Sequence, residues 1–259
     1  MTVDQPGPSA LAIARELERP RPLFVTFDVW TVPAAAIPRA AALSARGRTT
    51  QRRAEGLVFH KVLGTGDGRT FTVRDATPRR WALLCVWAST AEATRVDASP
   101  VGRAFAAIAD EHWHLDLRPL AARGRWSRRR PLGQLAPRVP GDAAGPVVAI
   151  TRARLSARGA RRFLAAVPPV AAAARGPDGP RYALGIGELP VGLQGTVSLW
   201  DDEAALLRFA RGRAEHVAVV ERTARVGWYA EEFFARFALT GSRGTVEGRD
   251  PAAEAPDPG

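Results

Sequence analysis

Four histidines, at positions 60, 112, 114 and 216, are the side chains of this chain best suited to proton or metal chemistry near neutral pH. His216 lies in FARGRAEHVAVVERTARVGWYAEEFFARF (209–237), where charged and apolar residues alternate at helical spacing. Val219, Val220 and Thr223 follow it at i+3, i+4 and i+7, so the imidazole shares one narrow stripe of a helix. Such an imidazole is either packed with a satisfied hydrogen bond or a ligand to a metal or haem iron. A ligand histidine has its second nitrogen held by a carbonyl or carboxylate. His112 and His114, two apart in a strand, point to one face. The pair can bind a metal only with a third ligand, and spacing supplies none, so both are expected at solvent-facing or rim positions. His60 and Lys61 face opposite sides of a strand that enters GTGDG (64–68).

Other chemistry is easier to set aside. A phosphate loop needs Gly-Lys-Ser/Thr and a dinucleotide site needs a following helix, whereas RTFTVRD after GTGDG reads as extended. The loop is expected as a turn at a cavity mouth. No GxSxG elbow is present. Cys85, the only cysteine, sits in WALLCVW and reads as a small core residue. The pairs Asp201-Asp202 and Glu231-Glu232 are expected at a helix start and on a helix, as capping and solvated groups. Trp126, Trp200, Trp228 and Phe237 are expected to build the core or a pocket wall.

The chain has 259 residues and a formal net charge of +11, with Lys61 its single lysine. Its arginines are dispersed, and the one tight run is RWSRRR (125–130), so no nucleic-acid partner is expected. Basic excess instead favours anionic surfaces. The N-terminus has no basic-then-apolar leader pattern, and no apolar run reaches the roughly 18 residues that span a bilayer. The expectation is a cytoplasmic protein with at most peripheral membrane contact.

Two similar halves are legible between an N-terminal tail (1–20) and a Pro/Gly-rich, charged tail (242–259) expected to be disordered. The first half (21–127) contains strands near 22–30, 56–66, 80–88 and 111–121, with helices near 33–46 and 90–109. A linker follows at 128–146. The second half (147–241) contains strands at 147–155, 181–189, 195–201 and 234–241, with helices at 156–175 and from Asp201 or Asp202 onward. Each half reads β-α-β-β-α-β, the ferredoxin-like order.

Several blocks resemble the spheroidene monooxygenase family of carotenoid biosynthesis. They are FHKVLGTGDGRTFT (59–72), WALLCVWAS (81–89), LAARGRWSRRRPL (120–132), VVAITRARL (147–155), GIGELP (185–190), TVSLW (196–200) and GWYAEEFFARFAL (227–239). They occur in the expected order over about residues 22–240. Together, the duplication and the resemblance imply an α+β fold of tandem ferredoxin-like repeats forming a pseudo-dimeric α/β barrel, with an apolar cavity between sheets and helices. The resemblance further implies haem b and a monooxygenase reaction on a small apolar, carotenoid-like substrate. Electrons would come from outside, from a donor such as ferredoxin. It makes His216 the axial iron ligand. Lys61, Arg125 and Arg152 become candidates for the haem propionates, Trp126 and Trp228 for the pocket wall, and Gln194 and Thr196 for distal polar contacts. The run Leu193-Gln194-Gly195 departs from the histidine-containing run expected there. That departure leaves open a haem enzyme performing dehydration, isomerisation or peroxidase-type chemistry, and a haem-binding protein without catalysis. The oligomeric state is also open.

Overall fold

The computed structural model describes residues 23–68, 73–94, 99–135, 138–141, 143–155, 176–188, 195–212 and 229–253. Alternation organises the first strand. In β1 (Phe24–Thr31), Val25, Phe27 and Val29 enter one apolar cluster, while Trp30 enters another on the opposite face. The helix α1 (Ile37–Thr50) follows, starting later than the expected 33–46, with a proline in its first turn. Its buried residues, Ala40, Ser44 and Gly47, form a small-residue stripe that lets the helix lie close to its neighbours. Then come β2 (Leu57–Gly66), β3 (Ala76–Trp87), the short α2 (Thr90–Ala93), α3 (Pro100–Ala106) and β4 (Glu111–Gly124). The helix expected over 90–109 is divided in two, the second part beginning at Pro100. Ser99 caps α3 by accepting the Gly102 N–H at 2.9 Å, and Pro100 opens the helix.

The second half contributes β5 (Val147–Leu155), β6 (Tyr182–Gly187), β7 (Gly195–Trp200), α4 (Glu203–Gly212) and β8 (Tyr229–Gly244). Asp202 caps α4, its carboxylate accepting the Ala205 N–H at 2.6 Å. The helix expected at 156–175 lies outside the described residues. The helical reading of 209–237 needs correction at its far end, because residues 229–237 belong to β8. YAEEFFARF satisfies either period locally. The strand prevails because Phe233, Ala235 and Phe237 all enter the barrel interior, while neighbouring β4 and β5 take up the backbone hydrogen bonds. Glu231 and Glu232 therefore stand on a strand rather than a helix.

All strand pairs are antiparallel, and the eight strands close in the order β1-β3-β2-β6-β7-β5-β8-β4, with β4 returning to β1. Within each half the order is that of a ferredoxin-like sheet. The halves join edge to edge, β2 to β6 and β4 to β8, which relates them by a pseudo-twofold. The interior of this ring is a packed core, built from Phe27, Leu84, Leu115, Ile150, Leu184 and Phe237 among others. A second cluster, with Trp30, Trp81, Trp87 and Phe105, lies outside the ring between the first-half sheet and its helices. Fully burying each such side chain contributes about 1.5–3 kcal/mol.

Both supposed loose segments prove to be built in. After Gly124 a tight turn pairs Trp126 with Arg129, and after Gly244 an equivalent turn pairs Val246 with Arg249. The pattern Arg-Gly-x-(Trp/Val)-x-x-Arg-x-Pro occurs at 123–131 and again at 243–251. Trp126 and Val246 are both buried in the interior cluster, so each turn stoppers one end of the barrel. Gly124 (φ 86°) and Gly244 (φ 77°) leave their strands in left-handed conformations. A Cβ there would collide with the Glu232 or His112 carbonyl oxygen. The linker beginning at 128 likewise sends Leu132 into the core. The tail expected from 242 is folded through residue 253. No described helix is long and apolar enough to cross a membrane.

Candidate functional site

Charge is concentrated at one barrel end. Glu188, just past β6, accepts hydrogen bonds from Lys61 Nζ (2.6 Å), Trp126 Nε1 (2.9 Å) and Arg152 Nη2 (2.7 Å). Arg152, 3% exposed, also donates to Glu231 on β8. Glu231 further accepts the backbone N–H groups of Ser127 and Arg128 at 2.9 and 2.6 Å, two residues held at positive φ by the stopper turn. Burial pushes both carboxyls up, but the donors around them outweigh it. Lys61, Trp126 and Arg152 hold Glu188 below its ordinary value, and the Arg128 amide with Arg152 does the same for Glu231. At the opposite end Val29 and Val246 stand where Arg152 and Trp126 do. The carboxylate-to-turn motif persists there, with Glu111 accepting the Glu247 and Gly248 amides, and Arg80 pairs with Glu247 at 2.7 Å. The concavity beside Trp126, Arg152 and Glu188 has an empty volume of ≈ 140 Å³. Ligand pockets need about 300 Å³ or more. The charged groups at this end are locked onto one another.

The outer, helix-facing surfaces of the two half-sheets differ in a way that bears on ligand binding. Across the first half, one row reads Val62, Leu83, Asp28, His114, and the matching row of the second half reads Gly185, Thr196, Thr151, Phe234. The adjacent rows are His60, Cys85, Thr26, Asp116 against Ala183, Ser198, Ala149, Arg236. The first face is filled by large side chains. In the second face, Ala183 and Thr151 are exposed while Thr196 and Ser198 are half-buried. The second-half face thus carries smaller side chains and hydroxyls at positions where the first-half face carries His60, Val62 and Leu83.

On the first-half face, β1 and β4 pair Asp28 directly with His114. Asp28 Oδ1 lies 2.8 Å from His112 Nε2 and 2.6 Å from His114 Nδ1. The other nitrogen of His114 meets Asp116 Oδ1 at 2.9 Å, and Asp116 is held in turn by Arg243 at 3.0 Å. Burial pushes Asp28 up, but the two imidazoles hold it below its usual range. Burial lowers His114, and the Asp28 and Asp116 carboxylates raise it above its ordinary value. The rim placement expected for this pair is corrected, since His114 is fully buried and only His112 keeps partial exposure.

The residues singled out from sequence thus fall on different surfaces. Lys61, Trp126 and Arg152 do converge, and all three donate to Glu188 at the barrel end. Arg125 is exposed beside them. Thr196 faces outward on the second-half sheet. His216, Gln194 and Trp228 lie outside the described residues. Sequence reading missed the roles of Glu188 and Asp28, and took Glu231 for a solvated helical residue. The residues flanking Glu188 gave no sign of its role. Asp28, in contrast, was legible as the one charged residue inside the strand FVTFDVWT.

No family model matches the chain. It is 36% identical over 198 residues to the spheroidene monooxygenase of Rhodobacter capsulatus, covering 75% of this chain and 80% of that protein. To the spheroidene monooxygenase of Rubrivivax gelatinosus it is 30% identical over 203 residues, 78% of this chain and 77% of the other. Its counterpart in Cereibacter sphaeroides is 33% identical, with 60% of that longer protein covered. Among solved structures, an aldoxime dehydratase in complex with butyraldoxime superposes with a TM-score of 0.52 at 12% identity, covering 86% of this chain and 81% of that one. The likeness to this dehydratase is one of fold.

Proposed function

The chain belongs to the spheroidene monooxygenase family, and from that premise we propose that it is a haem-dependent monooxygenase acting on an apolar polyene of the carotenoid class. The observation that carries the cofactor assignment is the contrast between the two outer faces. Where the first half presents His60, Val62 and Leu83, the second presents Ala183, Gly185 and Thr196. Small side chains at these positions support placing an iron porphyrin against the second-half sheet.

His216 is the proposed axial ligand. In sequence it lies between α4 and β8. The haem would supply the activation of dioxygen that amino-acid side chains lack. The chain's own contribution is to bind, orient and exclude water. Thr196 and Ser198 present hydroxyls from β7, and Gln194 and Thr196 are the proposed polar contacts on the substrate side. The charged lock keeps the barrel beneath rigid. Replacing a C–H by C–OH puts one oxygen atom into the substrate and releases the other as water, which consumes two electrons and two protons. A small electron-transfer protein of the ferredoxin class is the proposed donor. The +11 charge suits an enzyme that collects a lipophilic substrate from an anionic membrane surface.

The axial assignment is tested by spectroscopy on the haem-loaded protein. His216→Ala is expected to lose most of the haem or to shift the Soret band and its carbon-monoxide difference spectrum. Full occupancy with an unchanged Soret band would overturn it.

A further inference from the structure

We propose that Asp28, His112 and His114 form a second, independent metal site, selective for a first-row transition-metal dication and placed on the opposite half of the molecule from the haem face. The three ligand atoms lie within 4.8 Å of one another, and the two strands that carry them are hydrogen-bonded neighbours. Two imidazoles and a carboxylate are borderline donors that suit zinc, cobalt, nickel or ferrous iron better than calcium or magnesium.

Hydrogen bonding alone leaves this cluster incomplete. Asp28 is 0% exposed, yet its Oδ2 has no hydrogen-bond partner among the described residues. Leaving a buried acceptor unmet is unfavourable, and a cation at the cluster would satisfy it. The surroundings match what metal-bound histidines require. Asp116 takes the far nitrogen of His114 at 2.9 Å and is itself anchored by Arg243, fixing the tautomer that leaves Nδ1 facing Asp28. Trp30 stacks on the His112 ring at 5.1 Å and 11°, which fixes its orientation. The His112 side chain is 34% exposed while those of Asp28 and His114 are almost sealed, so one side of the cluster is open to solvent for entry and for water ligands. The present separations of 2.8 and 2.6 Å from Oδ1 are hydrogen-bond lengths. A metal bonded at about 2.0–2.2 Å to each atom displaces the ring protons and, in tetrahedral geometry, widens these two separations by about 0.5–1 Å.

The test uses full-length protein stripped with a chelator, titrated with cobalt(II) alone and then with zinc(II). One equivalent of cobalt should bind with visible d–d bands and be displaced by zinc, and zinc should raise the melting temperature. His112→Ala, at the partly exposed position, should weaken binding by about 100-fold while keeping the wild-type circular dichroism, with a somewhat lower chelator-treated melting temperature from the lost bond to Asp28. Asp28→Asn should weaken it similarly. Absence of cobalt binding at about 100 µM, or wild-type affinity in folded His112→Ala, would overturn the site. Neither outcome touches the haem assignment, which is read separately from the Soret band.

Discussion

Replacing Arg152 with alanine is expected to destabilise the protein by about 3–5 kcal/mol, lowering its melting temperature by about 10 °C. Arg152 is 3% exposed and is the cation shared by Glu188 and Glu231. Removing it leaves two carboxylates facing each other at a barrel end that little water reaches. Lys61 retains Glu188, and the Ser127 and Arg128 amides retain Glu231, so the fold weakens without a general collapse. The triple change Arg152→Met, Glu188→Gln, Glu231→Gln should recover much of the loss, because it removes the buried charges together. Acid sensitivity should change as well. Both carboxyls are held below their ordinary value when folded. Their contribution is therefore present above the unfolded value of about 4.3 and lost as pH falls through the folded values. Wild type should lose stability steeply below about pH 4, and Arg152→Ala less steeply. Thermal melts across pH check both statements, and equal slopes would contradict them.

Trp126→Ala should be comparably costly, about 3–5 kcal/mol. The indole is fully buried, packs against Phe59 at 6.0 Å and Phe233 at 5.6 Å, and donates to Glu188. Truncation opens the stopper at the charged end and removes one of the donors to Glu188. Its counterpart, Val246→Ala, deletes two methyl groups and removes no side-chain hydrogen bond, and should cost only about 1–2 kcal/mol. Trp126→Phe separates the two causes, since it keeps most of the volume and loses the hydrogen bond. Equal losses for Trp126→Ala and Val246→Ala in denaturant unfolding would show that the ends are not specialised.

The duplicated strand order was legible because period-two runs such as FVTFDVW and VVAITRAR alternate cleanly and are separated by proline and glycine. Ring closure was anticipated only through the duplication and the family resemblance, since pairing of β2 with β6 and β4 with β8 leaves no local signature. The stopper turns were misread for a physical reason. Segments rich in arginine, glycine and proline have a disordered composition, and only the repeated Arg-Gly-x-x-x-x-Arg-x-Pro pattern reveals a built turn. The site was split in the same way. Residue type and family blocks pointed to Lys61, Trp126 and Arg152, which do meet. Their partner Glu188 comes from a distant strand, so spacing could not show that an internal carboxylate occupies them. The His-x-His pair was seen as a ligand pair in want of a third member. Asp28, on the neighbouring strand but far away in sequence, supplies it.

The central claim, that this chain transfers one atom of dioxygen to a carotenoid-class polyene, is tested most directly by isotope. Haem-loaded protein, a reduced ferredoxin and spheroidene are incubated under ¹⁸O₂, and the product is weighed by mass spectrometry. The account predicts a hydroxylated product carrying one ¹⁸O from the gas and no product without oxygen or reductant. Turnover that persists anaerobically, or a product whose oxygen comes from water, would contradict it.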